Sequence, residues 1–412
     1  MGTVLLLGTF DTKGDEYGYV RDRLVEHGCE VLLVDAGTLG EATLVPDVSR
    51  AQVAEAAGSD LGLLASAVDR GTVLETMGRG AARVVERLYR EGRFDGILAL
   101  GGSGGATIAT HAMRALPFGV PKLLVSTVAS GDMRMYVGEA DITVMHSVVD
   151  ISGINRLSER ILGNAAGAIA GMVGAEPVRS VDGTRRLVGA TMFGVTTPCV
   201  TRARRLLEDR DYEVAVFSAN GTGGRTMEKL MEEGVVTAAL DVTTTELVDE
   251  LVGGILSAGP RRLETATRLG LPQVVSVGAL DMVNFGPVST LPERFQGRRI
   301  YRHSESVTLV RTTPDECAEV GRVIARKLQG ARGPCSVLVP LRGTSAIAAE
   351  GRPFHDHEAD RALFEALEAS LDPEVELVGL DLHINDPEFA TALADKLHEN
   401  CERSADNRDE SR

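Results

Sequence analysis

The sequence predicts an α/β protein made of two Rossmann-like domains, each a mostly parallel sheet with helices on both faces. Three observations carry this. Short continuous apolar runs alternate with longer segments of helical periodicity, the pattern of strands buried on both faces. Those runs end in Gly- and Asp-containing loops, several of which lead straight into helices. The alternation breaks once, at GAEPVRSVDGTR (174–185), and then resumes. A chain of 412 residues has room for two or three domains of about 150 residues each.

In the first half, Val4–Leu7 is the opening strand. A helix follows over 15–27, with Val20 and Leu24 one turn apart and Gly28 as its stop. Val31–Val34 is the second strand, closing in Asp35-Ala36-Gly37. Residues 72–91 form a long amphipathic helix, and Ile97–Leu100 is a strand that runs into Gly101–Gly105 and a helix over Ala106–Leu116. Val120–Val125 and Asp141–Met145 follow as strands, and small-residue-rich Asn155–Val173 as a closely packed helix. The second half gives strands at Leu187–Thr191, Val214–Phe217, Ala238–Leu240, Gln273–Val277, Ser336–Val339 and Val375–Leu380. Its helices fall at 198–209, 222–233, 244–257, 315–328, 357–370 and 387–400. The domains so drawn are a nucleotide-binding domain over 1–178 and a second α/β domain over 184–402, with a polar, disordered tail over 403–412.

Composition narrows the function classes. Lys+Arg number 43 and Asp+Glu 59, a net charge of −16, so a nucleic-acid or anionic-membrane binder with a broad basic face is excluded. With no Trp and 4% aromatics, the chain lacks stacking platforms for single strands. None of Cys29, Cys199, Cys317, Cys335 and Cys401 forms a CxxC pair, which points to a reducing cytoplasm rather than a disulfide framework. Cys199, at a helix start, reads as a buried small hydrophobe, with an activated thiol as the alternative. The first apolar run is only a strand's length, and no stretch of about 18 apolar residues occurs, so neither a signal peptide nor a membrane span is expected. Gly accounts for 46 residues, an excess placed in loops where backbone can approach a ligand.

The first such loop is Gly8-Thr9-Phe10-Asp11-Thr12-Lys13-Gly14, between strand and helix. Ligands of open α/β sheets sit at the carboxyl ends of strands, against helix N-termini, and Lys13 would add a charge for a phosphate. The alternative is an Asp11 or Thr12 helix cap with Lys13 in solvent. The second loop, Gly101-Gly102-Ser103-Gly104-Gly105, has more glycines than a tight turn needs and reads as a phosphate cradle. Asp35 ends a strand where a carboxylate can take ribose hydroxyls, although a turn role fits equally. Thr127 and Ser130, in the hydroxyl-rich loop after the fourth strand, reach the same crevice or simply form a turn.

The second domain offers Asn220, Gly221, Gly223 and Gly224 as a strand–glycine–helix loop for a substrate. Asp241-Val242-Thr243-Thr244-Thr245-Glu246 opens a helix with capping-box spacing from Thr243 to Glu246. Asp281 and Asn284 lie in a helix-free loop after a strand, a placement more often functional than structural. His303 and Arg311 flank a further strand, and His355-Asp356-His357-Glu358 offers four potential ligands, or an N-cap with solvated neighbours. No spacing here names a metal-ligand set.

Gly8–Lys13, Gly101–Gly105, Ile151-Ser152-Gly153-Ile154-Asn155-Arg156, Asp281–Gly286 and Arg302-His303 together resemble the Tm-one-like ATP-binding domain family. This largely uncharacterised family includes the N-terminal part of the tomato mosaic virus resistance protein. The resemblance spans residues 2 to 400. It implies two Rossmann-like domains, a homodimer, and binding of ATP with Mg2+, with the Thr9–Lys13 and Gly101–Gly105 loops as nucleotide contacts. The expected function is ATP-Mg binding in the first domain, with a small anionic metabolite in the crevice between domains and phosphoryl transfer or carboxylate activation as the chemistry. Two other readings stand beside it. One is a metal-assisted hydrolase or lyase centred on catalytic Asp241, Asp281 and His303, with His357. The other is a non-enzymatic ATP-sensing regulator.

Overall fold

A computed structural model describes residues 2–176 and 185–409. The expected linker therefore lies mostly outside the described residues. Two compact units flank it.

The first unit holds strands β1 (Thr3–Gly8), β2 (Glu30–Asp35), β3 (Gly96–Gly101), β4 (Lys122–Ser126) and β5 (Thr143–His146). Their order is β2-β1-β3-β4-β5, and every pair is parallel. Its helices are α1 (Gly14–Glu26), α2 (Arg50–Ala56), α3 (Leu61–Ser66), α4 (Arg70–Arg90), α5 (Ser103–Arg114), α6 (Arg134–Val137) and α7 (Arg156–Gly174). Alternate side chains of one strand point to opposite faces, and the cores divide accordingly. Leu5, Leu7, Ile97 and Ala99 pack with Met77 and Val84 of α4 and Ile108 of α5. Val4, Leu6, Leu98 and Leu100 pack instead with Val20 and Leu24 of α1 and Leu162 of α7. This is why the strands read as unbroken apolar runs rather than as alternating ones.

The second unit has a six-stranded parallel sheet and a three-stranded antiparallel one. Its strands are β6 (Leu187–Met192), β7 (Glu213–Ser218), β8 (Ala238–Thr243), β9 (Gln273–Gly278), β10 (Met282–Phe285), β11 (Ile300–Arg302), β12 (Thr308–Arg311), β13 (Cys335–Pro340) and β14 (Glu376–Leu380). The orders are β14-β13-β9-β8-β6-β7 and β10-β12-β11. Helices α8 (Thr197–Glu208), α9 (Thr222–Glu232), α10 (Thr245–Val252), α11 (Thr265–Leu269), α12 (Pro314–Leu328), α13 (His357–Ser370) and α14 (Pro387–Asp409) complete it. The chain is thus two mostly parallel α/β sheets with helices, as the sequence predicts.

Three local expectations are corrected. The segment Asp281–Gly286, expected as a helix-free loop, is helix-free but contains a strand, β10, paired antiparallel with β12. The helix expected over 244–257 stops at Val252, because Gly253 takes a left-handed conformation (φ 89°). The tail expected to be disordered from 403 is helical to Asp409, and buried Cys401 and Ser404, three residues apart, hold one face of it down.

Candidate functional site

In the first unit β1 has β2 on one side and β3 on the other, so the loops after β1 and β3 diverge at a topological switch point. Tyr17 of α1 sets this geometry. Its buried hydroxyl donates to the Leu7 carbonyl (2.6 Å) and accepts from the Leu100 amide (2.7 Å), bridging β1 and β3 where their ladder ends. Gly8 must be glycine: a Cβ there would lie 2.0 Å from the Tyr17 ring.

A cavity of about 330 Å³ opens at this point. Thr9, Asp11, Thr12 and Lys13 line it from one loop and Gly101, Gly102, Ser103, Gly104 and Gly105 from the other. Helix α5 begins there with Gly102 as N-cap and no capping side chain, so the amides of its first turn have no side-chain acceptor. The glycines have separate reasons. At Gly101 a Cβ would meet the Gly105 Cα at 2.8 Å, so helix and strand could not pack as closely. At Gly102 and Gly104 nothing lies closer than 3.4 Å.

Lys13 stands at the N-cap position of α1 without a side-chain capping bond and donates through Nζ to the Ile151 carbonyl. The Asp11 carboxylate accepts the Leu39 amide (2.7 Å) and the Gly40 amide (3.2 Å) on Oδ2, while buried Oδ1 has no hydrogen-bond partner. Two charged residues that sequence reasoning missed also line the cavity: Arg70, the first residue of α4, and Asp150. Arg70 carried no motif, since its place is fixed by α4 packing on α5. Leu64, Leu74, Met77 and Ile108 add an apolar wall.

Four expected contacts fall elsewhere. Phe10 is fully buried against Tyr17, with ring centroids 5.1 Å apart. Buried Asp35 accepts the amides of Phe10 (3.1 Å) and Gly37 (2.9 Å), which ties the loops after β1 and β2 together; burial raises its pKa. Thr127 and Ser130 form a 3-10 turn after β4, outside the cavity lining, although a Cβ on Gly102 would approach Thr127 Oγ1 at 3.5 Å.

The second unit's polar loops are occupied from within. Glu246 is fully buried and accepts the Gly221 amide (2.7 Å), the Gly224 amide (3.1 Å) and Arg262 Nε (2.7 Å). A carboxylate of the chain thus fills the glycine loop expected to bind substrate, and Asn220 closes it by accepting the Gly223 amide (3.2 Å). The Thr243–Glu246 capping box does not form, because Glu246 is used here. Asp241 pairs with the same buried Arg262 and accepts from Thr191 (3.1 Å). Asp281 is buried and accepts the hydroxyls of Thr344 (3.1 Å) and Ser345 (2.8 Å); burial raises its pKa against the pull of Arg311. Asn284 is buried against Asp249. His303 stands exposed in the turn between β11 and β12. The expected catalytic trio is therefore not assembled: Asp241 and Asp281 are committed to separate buried networks and His303 faces solvent. Among the described residues no three His, Cys, Asp or Glu side chains are grouped to hold a metal ion. Cys199 is buried, its thiol pushed up to about 12 by desolvation. No helix among the described residues is long and apolar enough to cross a membrane.

Comparison with known proteins places the chain in a family. Residues 2–177 match the N-terminal domain of an uncharacterised protein family (UPF0261), and residues 185–401 match its C-terminal domain. A UPF0261 protein of Clostridium tetani is 51% identical over 396 residues, 96% of this chain and 98% of its own. The ToMV resistance protein Tm-1(GCR237) of Solanum lycopersicum is 38% identical over 419 residues, 96% of this chain and 55% of its own length. Among solved structures, a UDP-N-acetylglucosamine 2-epimerase from Rickettsia bellii aligns over 66% of this chain and 78% of its own, at 12% identity and a TM-score of 0.23, too distant to bear on chemistry. The chain belongs to the UPF0261 family, among whose relatives are the tomato Tm-1 proteins.

Proposed function

We propose that the N-terminal unit binds ATP with Mg2+ in the cavity at the β1/β3 switch point. The observation that carries this is the convergence of an uncapped helix N-terminus with Lys13, Arg70 and Asp11 on one cavity. The first-turn amides of α5 and the two cations suit phosphate oxygens. The wall of Leu64, Leu74, Met77 and Ile108 suits the base. Mg2+ binds through one or two carboxylates plus phosphate oxygens, and Asp11, with its unpartnered oxygen, and Asp150 would hold it. The ion's contribution is neutralisation of phosphate charge. Lys13, pinned to Ile151, keeps a fixed charge at the mouth of α1. On this reading the chemistry is phosphoryl transfer to, or activation of, a small anionic metabolite, where positioning and charge do most of the work.

Calorimetric titration with ATP-Mg tests the proposal. Wild type binds, and Arg70→Ala binds about tenfold or more weakly, since a hydrogen bond to a charged group is worth about 1.5–3 kcal/mol. No heat of binding and no melting shift at millimolar ATP-Mg would remove it.

A further inference from the structure

The second unit carries an open cavity of about 1070 Å³ that the nucleotide reading leaves unused. It lies where β13 and β14 end, the sheet edge at which parallel α/β folds place ligands. Three histidines line it: His355, His357 and His383.

Each is set in place by the buried polar network that occupies Asp281. Arg311, on β12, donates to the Phe354 carbonyl (2.8 Å) and the Asp356 carbonyl (3.3 Å), the two residues flanking His355 and leading into His357. Asp281 holds Ser345, and the Ser345 carbonyl meets His383 Nε2 at 2.9 Å. That bond fixes Nε2 as the donor and leaves Nδ1 to accept the Asn385 amide (3.1 Å). Asp281 and Arg311 are therefore positioning residues for a cavity that neither lines.

The carboxylates at this cavity are largely committed. Asp360 pairs with Arg311 (2.6 Å), and Asp386 accepts the His383 amide (2.8 Å). Glu350 is exposed. His357 is the first residue of α13, whose N-terminus the Asp356 carboxylate caps by accepting the Ala359 amide (3.2 Å), and Arg361, one turn further on, makes among the described residues only an exposed ion pair with Glu365 (3.6 Å). His355 has a buried Nδ1 with no partner. Leu341 and Phe364 supply apolar surface.

We propose that this cavity binds a small organic anion, a carboxylate or phosphate on an apolar body, through His355, His357 and Arg361. It is a site separate from the nucleotide cavity and does not depend on the ATP reading.

The test is histidine side-chain NMR on the full chain, titrated in separate arms with succinate and with inorganic phosphate. The imidazole resonances of His355 and His357 are expected to shift saturably with at least one probe. The surface double substitution His357→Gln, Arg361→Gln should weaken that binding by about tenfold or more while leaving the protein folded. Saturation by phosphate alone assigns a phosphorylated ligand, and saturation by succinate alone a carboxylate. No saturable shift with either probe at tens of millimolar, or a folded double variant that binds like wild type, overturns the proposal.

Discussion

At the residue scale, the sequence identifies polar side chains that matter but not what neutralises them. Asp241, Asp281 and Asn284 stand out in loops; their partners Arg262, Arg311 and Asp249 lie far enough away in sequence that only the fold joins them. Asp249 shows the consequence. Desolvation raises its carboxyl from 3.8 to about 7, against the opposing hydrogen bonds from the Asn284 amide and side chain. Because the folded value lies above the unfolded one, the native state holds a proton that the unfolded chain has released. That contribution is fully present below about pH 4, falls as pH rises, and is gone above about pH 7. Asp249→Asn cannot lose that proton. Its stability relative to wild type should therefore be greater at about pH 8 than at about pH 5. Urea midpoints for both proteins at the two pH values check this, and an unchanged difference would show that Asp249 does not titrate with folding.

At the element scale, the two glycine loops make a natural comparison. Both follow a parallel strand and open a helix, α5 in one unit and α9 in the other, and from sequence they read alike. The difference is a carboxylate 22 residues beyond Gly224: Glu246 already accepts the amides at the start of α9, whereas α5 has no internal acceptor. Sequence pattern could place a glycine loop but not reveal an occupant from a neighbouring helix. The comparison yields a test. Gly104→Asp places a carboxylate in the first turn of α5, where a Cβ meets only Leu74 and Arg70 at 3.4 Å or more. A carboxylate there complements the helix dipole by about 0.3–1 kcal/mol, which offsets much of any cost of the change. If α5 receives phosphate, the same carboxylate repels it, so the variant should keep a melting temperature near wild type and lose ATP-Mg affinity by about tenfold or more. Retained affinity would show that phosphate goes elsewhere.

At the scale of the whole molecule, the parallel sheets were legible because strands buried on both faces announce themselves as short apolar runs. Of the antiparallel β10-β12-β11 sheet only the strand between His303 and Arg311 was legible, since these strands have only three or four residues and their identity depends on pairing across 282–311. Each unit holds its own apolar cores. Those of the first draw on residues between Val4 and Val173, and those of the second on residues between Leu187 and Cys401. Separate cores let the two units respond separately to a ligand, because binding stabilises only the structure that forms the site. If ATP-Mg binds at β1 and β3, scanning calorimetry of the full chain should resolve a transition that climbs with nucleotide concentration and a second that does not. Arg70→Ala should flatten the climb of the first alone. At a ligand concentration of about 100 times Kd the stabilisation is about 2.7 kcal/mol, enough to move one transition by several degrees. A shift of the second transition with the first unmoved would relocate nucleotide binding to the C-terminal unit.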